Sequence, residues 1–321
     1  MKKTINIICA ALAVLMITAS LCACGSTKKN DKPKIVCTAL SLYDFCREIA
    51  GEHADVLLLS GSSADYHSYE PTAADILEIS SCDIFVYIGG ASEKWVDKTL
   101  AASGNSNIVK LRTMSLVEPL PVGGHDHDHD DHDHDDHDEH DHDEDESDEH
   151  IWTSLSNAVA VCRGICDTIS KADAENKDAY EENFRLYSEK LTALDAEYRK
   201  CVSESRLKEL VFADRFPFAY LANDYGIECH AAFSGCSSES EASFEVMASL
   251  INEVKDKKLP AVIMIDGSKG DIAETVCKAT GAKKLVMDSC QLAAAGILKK
   301  SDIYYNAMVK NLEVLREALG N

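Results

Sequence analysis

Short apolar runs alternating with amphipathic stretches constrain the fold of this chain more than any other feature. The clearest is "CDIFVYIGG" at residues 82–90, a tight block of Ile, Phe, Val and Tyr that stops at two glycines. A run this short, bounded by turn residues, reads as a strand buried on both faces. "KIVCTAL", "ADVLLLS" and "NIVKL" share its character, with helical patterns between them. One of these is "PTAADILEIS", where Pro71 suits a first helical position. A second block repeats the scheme with "KELVFAD", "GIECHAAF", "PAVIMID" and "KKLVMD". Buried strands separated by helices imply an α/β fold: two lobes of parallel sheet, each flanked by helices.

Between the blocks, Tyr180, Phe184, Tyr187, Leu191, Leu194, Tyr198 and Val202 recur every three or four residues. That spacing predicts one amphipathic helix with a continuous apolar stripe. From Asn176 to Ser203 it would run about 40 Å. Such a rod joins the lobes rigidly and leaves little room for wide hinge closure.

The first residues read as an address. Lys2 and Lys3 precede an apolar stretch from Ile5 to Ile17, followed by "LCAC" ending at Cys24. The stretch is too short for a membrane helix, which needs about 20 apolar residues, and it has the form of a secretory signal. "LCAC" is similar to a bacterial lipobox, which would make Cys24 the lipid-carrying first residue of a mature chain. The polar run after it suits a tether. Ten cysteines follow Cys24, with no C-x-x-C among them. Cys37 and Cys277 sit in apolar runs and read as small core residues, as do Cys162 and Cys166 on one helix face.

The net charge of −23 is concentrated. Sixteen Asp and Glu and no Lys or Arg fall between Gly123 and His150, leaving the rest of the chain at −7. With no basic stripe to neutralise phosphates, nucleic acid is not an expected partner. The acidic segment has almost nothing apolar to bury and is expected to be disordered. Its histidines (His125, His127, His129, His132, His134, His137, His140 and His142) alternate with carboxylates. A mere acidic spacer has no need of imidazoles. Imidazoles interleaved with oxygen donors suit several weak, exchangeable transition-metal sites.

A tight site needs donors held by a rigid scaffold, and open α/β sheets bind ligands beyond the carboxyl ends of their strands. His67 stands in the loop after "ADVLLLS", Asp214 ends "ELVFAD", and Asp288 ends "KLVMD". His150 closes the acidic insert and opens the next helix. Asp266 also ends a strand and is expected to cap the helix after it. His53 and His230 are read as ordinary surface or core histidines. Two imidazoles and one or two carboxylates meeting between lobes would suit Zn²⁺, with Mn²⁺ the competitor as oxygen donors increase. The familiar catalytic frames H-E-x-x-H and G-x-S-x-G are absent, so a metallohydrolase is not expected.

At these residues the chain resembles the zinc- and manganese-binding lipoproteins that feed ABC importers. "ADYHSYEPTAADI" is similar to the first-ligand motif of that family, and "DEHIWTSLSNA" to the second after a His-rich loop. "FPFAYLANDYGIE" with "GCSSESEAS" resembles the segment around the third ligand, and "LVMDS" the position of a fourth. The resemblance implies that His67 and His150 are ligands and that Asp288 is a carboxylate ligand. The third place departs from the pattern. An ungapped match puts Arg215 there, and a guanidinium cannot coordinate a cation, so Asp214 is the natural substitute. Cys236 and Glu241 are outlying candidates.

The resemblance also implies a rigid linking helix, no enzymatic activity, and an ABC permease as partner. The expected product is an extracytoplasmic, lipid-anchored monomer. Its divisions are a signal over 1–23, a tether over 24–34 and a first lobe over 35–122. The insert covers 123–149, the second-ligand segment and linking helix 150–205, and the second lobe 206–321.

Overall fold

The computed structural model describes residues 32–59, 66–122, 147–235, 242–293 and 296–320. Cys24, the eight insert histidines, Cys236 and Glu241 lie outside them.

Each of the eight apolar runs read above as a strand overlaps one. In the first lobe these are β1 (Lys34–Cys37), β2 (Asp55–Leu58), β3 (Ile84–Tyr87) and β4 (Val109–Arg112). They form a parallel sheet in the order β2-β1-β3-β4. The second lobe repeats that arrangement with β5 (Glu209–Phe216), β6 (Glu228–Ser234), β7 (Ala261–Ile265) and β8 (Lys283–Met287), ordered β6-β5-β7-β8 and again parallel. Parallel strands need helical crossovers. In the first lobe these are α1 (Leu40–Ala50), α2 (Ala73–Ser80) and α3 (Trp95–Ala102). In the second they are α6 (Ala219–Tyr225), α7 (Phe244–Asp256) and α8 (Asp271–Thr280). The helix α2 starts two residues after Pro71, because Thr72 and Asp75 form a reciprocal capping box and so fix the first turn.

Between the sheets run α4 (Leu155–Ala172) and the 28-residue α5 (Lys177–Glu204), and the chain closes with α9 (Ile303–Ala318). The stripe expected on α5 is buried, except that Phe184 stays half-exposed beneath the Arg163 guanidinium, 4.5 Å from its ring centre. One apolar core runs through both lobes, from Ile35 and Phe45 by way of Trp152, Tyr187 and Tyr304 to Phe212 and Ile263. Helix α5 touches the first lobe through Asn183, which donates to Ile49 O at 3.0 Å. It touches the closing helix through Tyr198, whose hydroxyl donates to Met308 O at 2.6 Å.

The N-terminus of α9 has no side-chain cap of its own. Helix α1 supplies one: Asp44 Oδ2 accepts Tyr304 N at 2.8 Å and Glu48 Oε1 accepts Asp302 N at 3.0 Å. The described cysteines are all free thiols, with Cys37, Cys162 and Cys166 buried and Cys277 half-buried.

Candidate metal centre

His67 occupies a single helical turn, Tyr66–Ser68, between β2 and α2. His150 directly precedes a similar turn, Ile151–Thr153, ahead of α4. Although they are 83 residues apart in sequence, their Nε2 atoms lie 3.1 Å from each other.

What lies behind each ring decides what these nitrogens can do. His150 Nδ1 is 2.7 Å from Asp148 Oδ1, and the same oxygen accepts His150 N at 2.8 Å. A carboxylate only accepts, so the proton of a neutral His150 sits on Nδ1 and the lone pair on Nε2. His67 Nδ1 is 2.8 Å from Ser92 Oγ and 3.9 Å from Glu149 Oε2, which favours the same tautomer there. Two neutral imidazoles held this way present lone pairs to each other, an arrangement that a shared cation resolves. Donors about 2.0–2.1 Å from a tetrahedral ion stand about 3.3 Å apart, close to the observed separation.

The surrounding wall is acidic and buried. Asp148, Glu149 and Glu93 are buried, and Asp148 Oδ2, Glu149 Oε2 and Glu93 Oε1 find no hydrogen-bond partner among the described residues. Glu149 Oε1 accepts Ser92 N at 2.6 Å, and Gly89 N donates to Glu93 Oε2 at 2.6 Å. Burial, reinforced by the neighbouring Glu149, pushes the Glu93 carboxyl up to about 7. The glycine pair that ends "CDIFVYIGG" is a steric necessity, since a Cβ at Gly90 would stand 2.3 Å from Glu149 Cγ. Trp152 packs edge-on against both His150 and Tyr66, and its Nε1 donates to Ser289 O at 2.9 Å in the other lobe.

Composition assigns Asp148 and Glu149 to the acidic insert, yet both belong to the folded site. Ser147 already bridges Pro121, and Asp148 N donates to Leu120 O at 2.7 Å. Tyr220 secures both margins of the insert, its hydroxyl accepting Leu120 N at 3.1 Å and donating to Asp148 O at 2.9 Å. The available signal was adjacency: a carboxylate that fixes a metal-binding histidine often stands beside it.

The two aspartates are placed differently. Asp214 is buried at an irregularity in β5, where Oδ1 accepts Arg215 N at 2.9 Å and Oδ2 accepts Ile265 N at 3.3 Å. Asp288 Oδ1 accepts Cys290 N at 2.9 Å. Its carboxyl is raised by burial and by nearby Asp266. Asp288 opens onto a cavity of about 790 Å³ that also touches Ser41 of the first lobe and Asp266, Tyr304 and Lys310 of the second. Among the described residues, neither aspartate joins the two imidazoles in a group whose donor atoms all lie within 4.8 Å of one another. Asp266 does not cap α8; its Oδ1 accepts Ser289 N at 2.6 Å and ties the end of β7 to the end of β8.

The family model for ZnuA, the periplasmic component A of zinc-uptake complexes, matches residues 35–318. This chain belongs to the ZnuA family. It is 30% identical over 323 residues to the high-affinity zinc uptake system protein ZnuA of Bacillus subtilis, covering 99% of this chain and 98% of that protein. It is also 32% identical over 319 residues to the zinc-binding lipoprotein AdcA of Streptococcus pneumoniae, and spans only 61% of AdcA's length. The Zn(II)-bound ZnuA-like domain of AdcA superposes with a TM-score of 0.72 at 28% identity, covering 90% of this chain and all of that domain. The lipoprotein YcdH of B. subtilis gives 0.74 at 26% identity, covering 90% of this chain and all of YcdH. The two-sheet architecture joined by a long helix is thus the fold of ZnuA-like proteins. No helix among the described residues is long and apolar enough to cross a membrane.

Proposed function

We propose that this ZnuA-family chain captures Zn²⁺ outside the cytoplasmic membrane and hands it to the permease of an ABC importer. The observation that carries the reading is the pair of Nε2 atoms facing each other at 3.1 Å, with buried carboxylates behind both rings. His67 and His150 are the imidazole donors. Asp288 is the carboxylate donor of the second lobe, because "LVMDS" resembles the fourth-ligand position of the family; the cavity onto which it opens has neither imidazole in its lining. Asp214 is the weaker candidate, since both its oxygens already accept main-chain N–H groups. Zinc is favoured over manganese because imidazole nitrogens lead the donor set. The insert histidines collect metal weakly beside the tight site, and Cys24 carries the lipid that keeps the monomer at the membrane.

Calorimetry on a variant lacking residues 125–146 tests the tight site without interference from the insert. His67→Ala and His150→Ala should each weaken zinc binding sharply, and the double substitution should abolish it. Unchanged affinity in the double variant rejects the site. Competition with Mn²⁺ in the same protein should leave zinc bound, and the reverse outcome makes manganese the cargo.

A further inference from the structure

We propose a second transition-metal site in the second lobe, formed by Glu209, His230 and Glu253. Donor atoms of these three side chains all lie within 4.8 Å of one another. Alternation along the strands explains the meeting. Glu209 shares a face of β5 with Val211 and Ala213, and His230 shares the matching face of β6 with Ala232. Helix α7 covers that face with Leu250 and Val254, and Glu253 stands at the margin of its apolar stripe.

Two details point to a ligand rather than to a solvated acidic patch. His230 Nε2 and Glu209 Oε2 are both shielded from solvent and find no hydrogen-bond partner among the described residues. Buried polar atoms of this kind ordinarily have one. Among the described residues the charges are also unbalanced: Glu209, Glu228 and Glu253 stand about the ring, and the ammonium paired with them is that of Lys257, held at 2.9 Å by Glu209 Oε1. That contact fixes Glu209 and leaves Oε2 for another cation. His230 Nε2 lies 3.9 Å from Glu253 Oε2 and 3.6 Å from Glu228 Oε1. Small side-chain rotations bring such distances to the separation of about 3.3 Å between donors on a tetrahedral ion. One imidazole with two carboxylates suits a divalent first-row ion such as Zn²⁺, water completing its shell.

These residues are distinct from the imidazole pair and from the aspartates considered with it. Glu209 and Glu228 pair at the amino ends of β5 and β6, whereas Asp214 stands near the carboxyl end of β5, about 16 Å further along it. A bound ion would pin α7 to the edge strand β6.

Crystals of the full chain grown with a zinc salt test the assignment by anomalous diffraction, with thermal melts in solution beside them. We expect a peak contacting Glu209, His230 and Glu253, lost in His230→Ala while any zinc between His67 and His150 remains. In solution, His230→Ala and Glu253→Gln should each reduce the zinc-induced rise in melting temperature. No peak in crystals whose imidazole pair holds zinc overturns the proposal. So does binding at crystal concentration only, seen as a peak combined with melts in which both variants respond to zinc as the parent does.

Discussion

Asp148 shows how much a single side chain is asked to do. One of its oxygens holds both the main chain and the ring of His150, fixing the tautomer that exposes Nε2. Asp148→Asn keeps the shape but removes the negative charge from the oxygen that both donors share. Zinc affinity should fall about 10–100-fold, the usual cost of losing a group that orients a ligand, and calorimetry reads it. Asp288 and Asp214 separate by a different criterion. Asp288→Asn should weaken zinc binding and leave the metal-free melting temperature in place. Asp214→Asn should cost about 1–3 kcal/mol of stability, because two main-chain donors, that of Ile265 buried and that of Arg215 partly so, lose a charged acceptor; chemical denaturation measures it. At this scale the sequence was legible only where spacing carried the message. His67 and His150 stood out by their position after a strand and before a helix. Asp148 and Glu149 were camouflaged by the fourteen other acidic residues of the same segment. The bond from Ile265 N to Asp214 spans 51 residues, and the grouping of His230 with Glu209 and Glu253 exists only once β5, β6 and α7 have packed.

Among the elements, strands and the linking helix were readable because burial imposes a period. Strands covered on both faces become unbroken apolar runs, and a helix packed on one side repeats every three or four residues. Caps supplied from elsewhere leave no such trace. Nothing local to residues 302–304 announces that Asp44 and Glu48 of α1 hold the start of α9. Burial, the largest influence on Asp44, moves its carboxyl from 3.8 to about 6, outweighing the opposing hydrogen bond from Tyr304 N. A carboxyl raised on folding binds its proton more tightly in the folded state, so its contribution is present below pH 3.8 and is lost as pH rises through about 6. The loss is on the order of 3 kcal/mol. Asp44→Asn should therefore flatten the decline in unfolding free energy between about pH 4 and 6, measured by urea denaturation of metal-free protein. A variant whose slope matches the parent's would mean that Asp44 titrates normally.

Taken whole, the molecule has two sheets and one shared interior. Apolar contacts pass from the first lobe through α5 and α9 into the second without interruption. The lobes should consequently melt together. Leu191→Ala, in the middle of α5, should cost about 2–5 kcal/mol and shift the tryptophan-fluorescence and circular-dichroism transitions by equal amounts. Two separated transitions would show that the lobes stand independently.

The stitch between Pro121 and Ser147, clamped by Tyr220, has a further consequence. With both margins of the histidine-rich tract sewn to one spot, the geometry at His150 does not register how many residues lie between them. Doubling such a loop costs only about 0.6 kcal/mol in closure entropy. The tract is a cassette of adjustable length: repeats can be gained or shed while the imidazole beside it keeps its place.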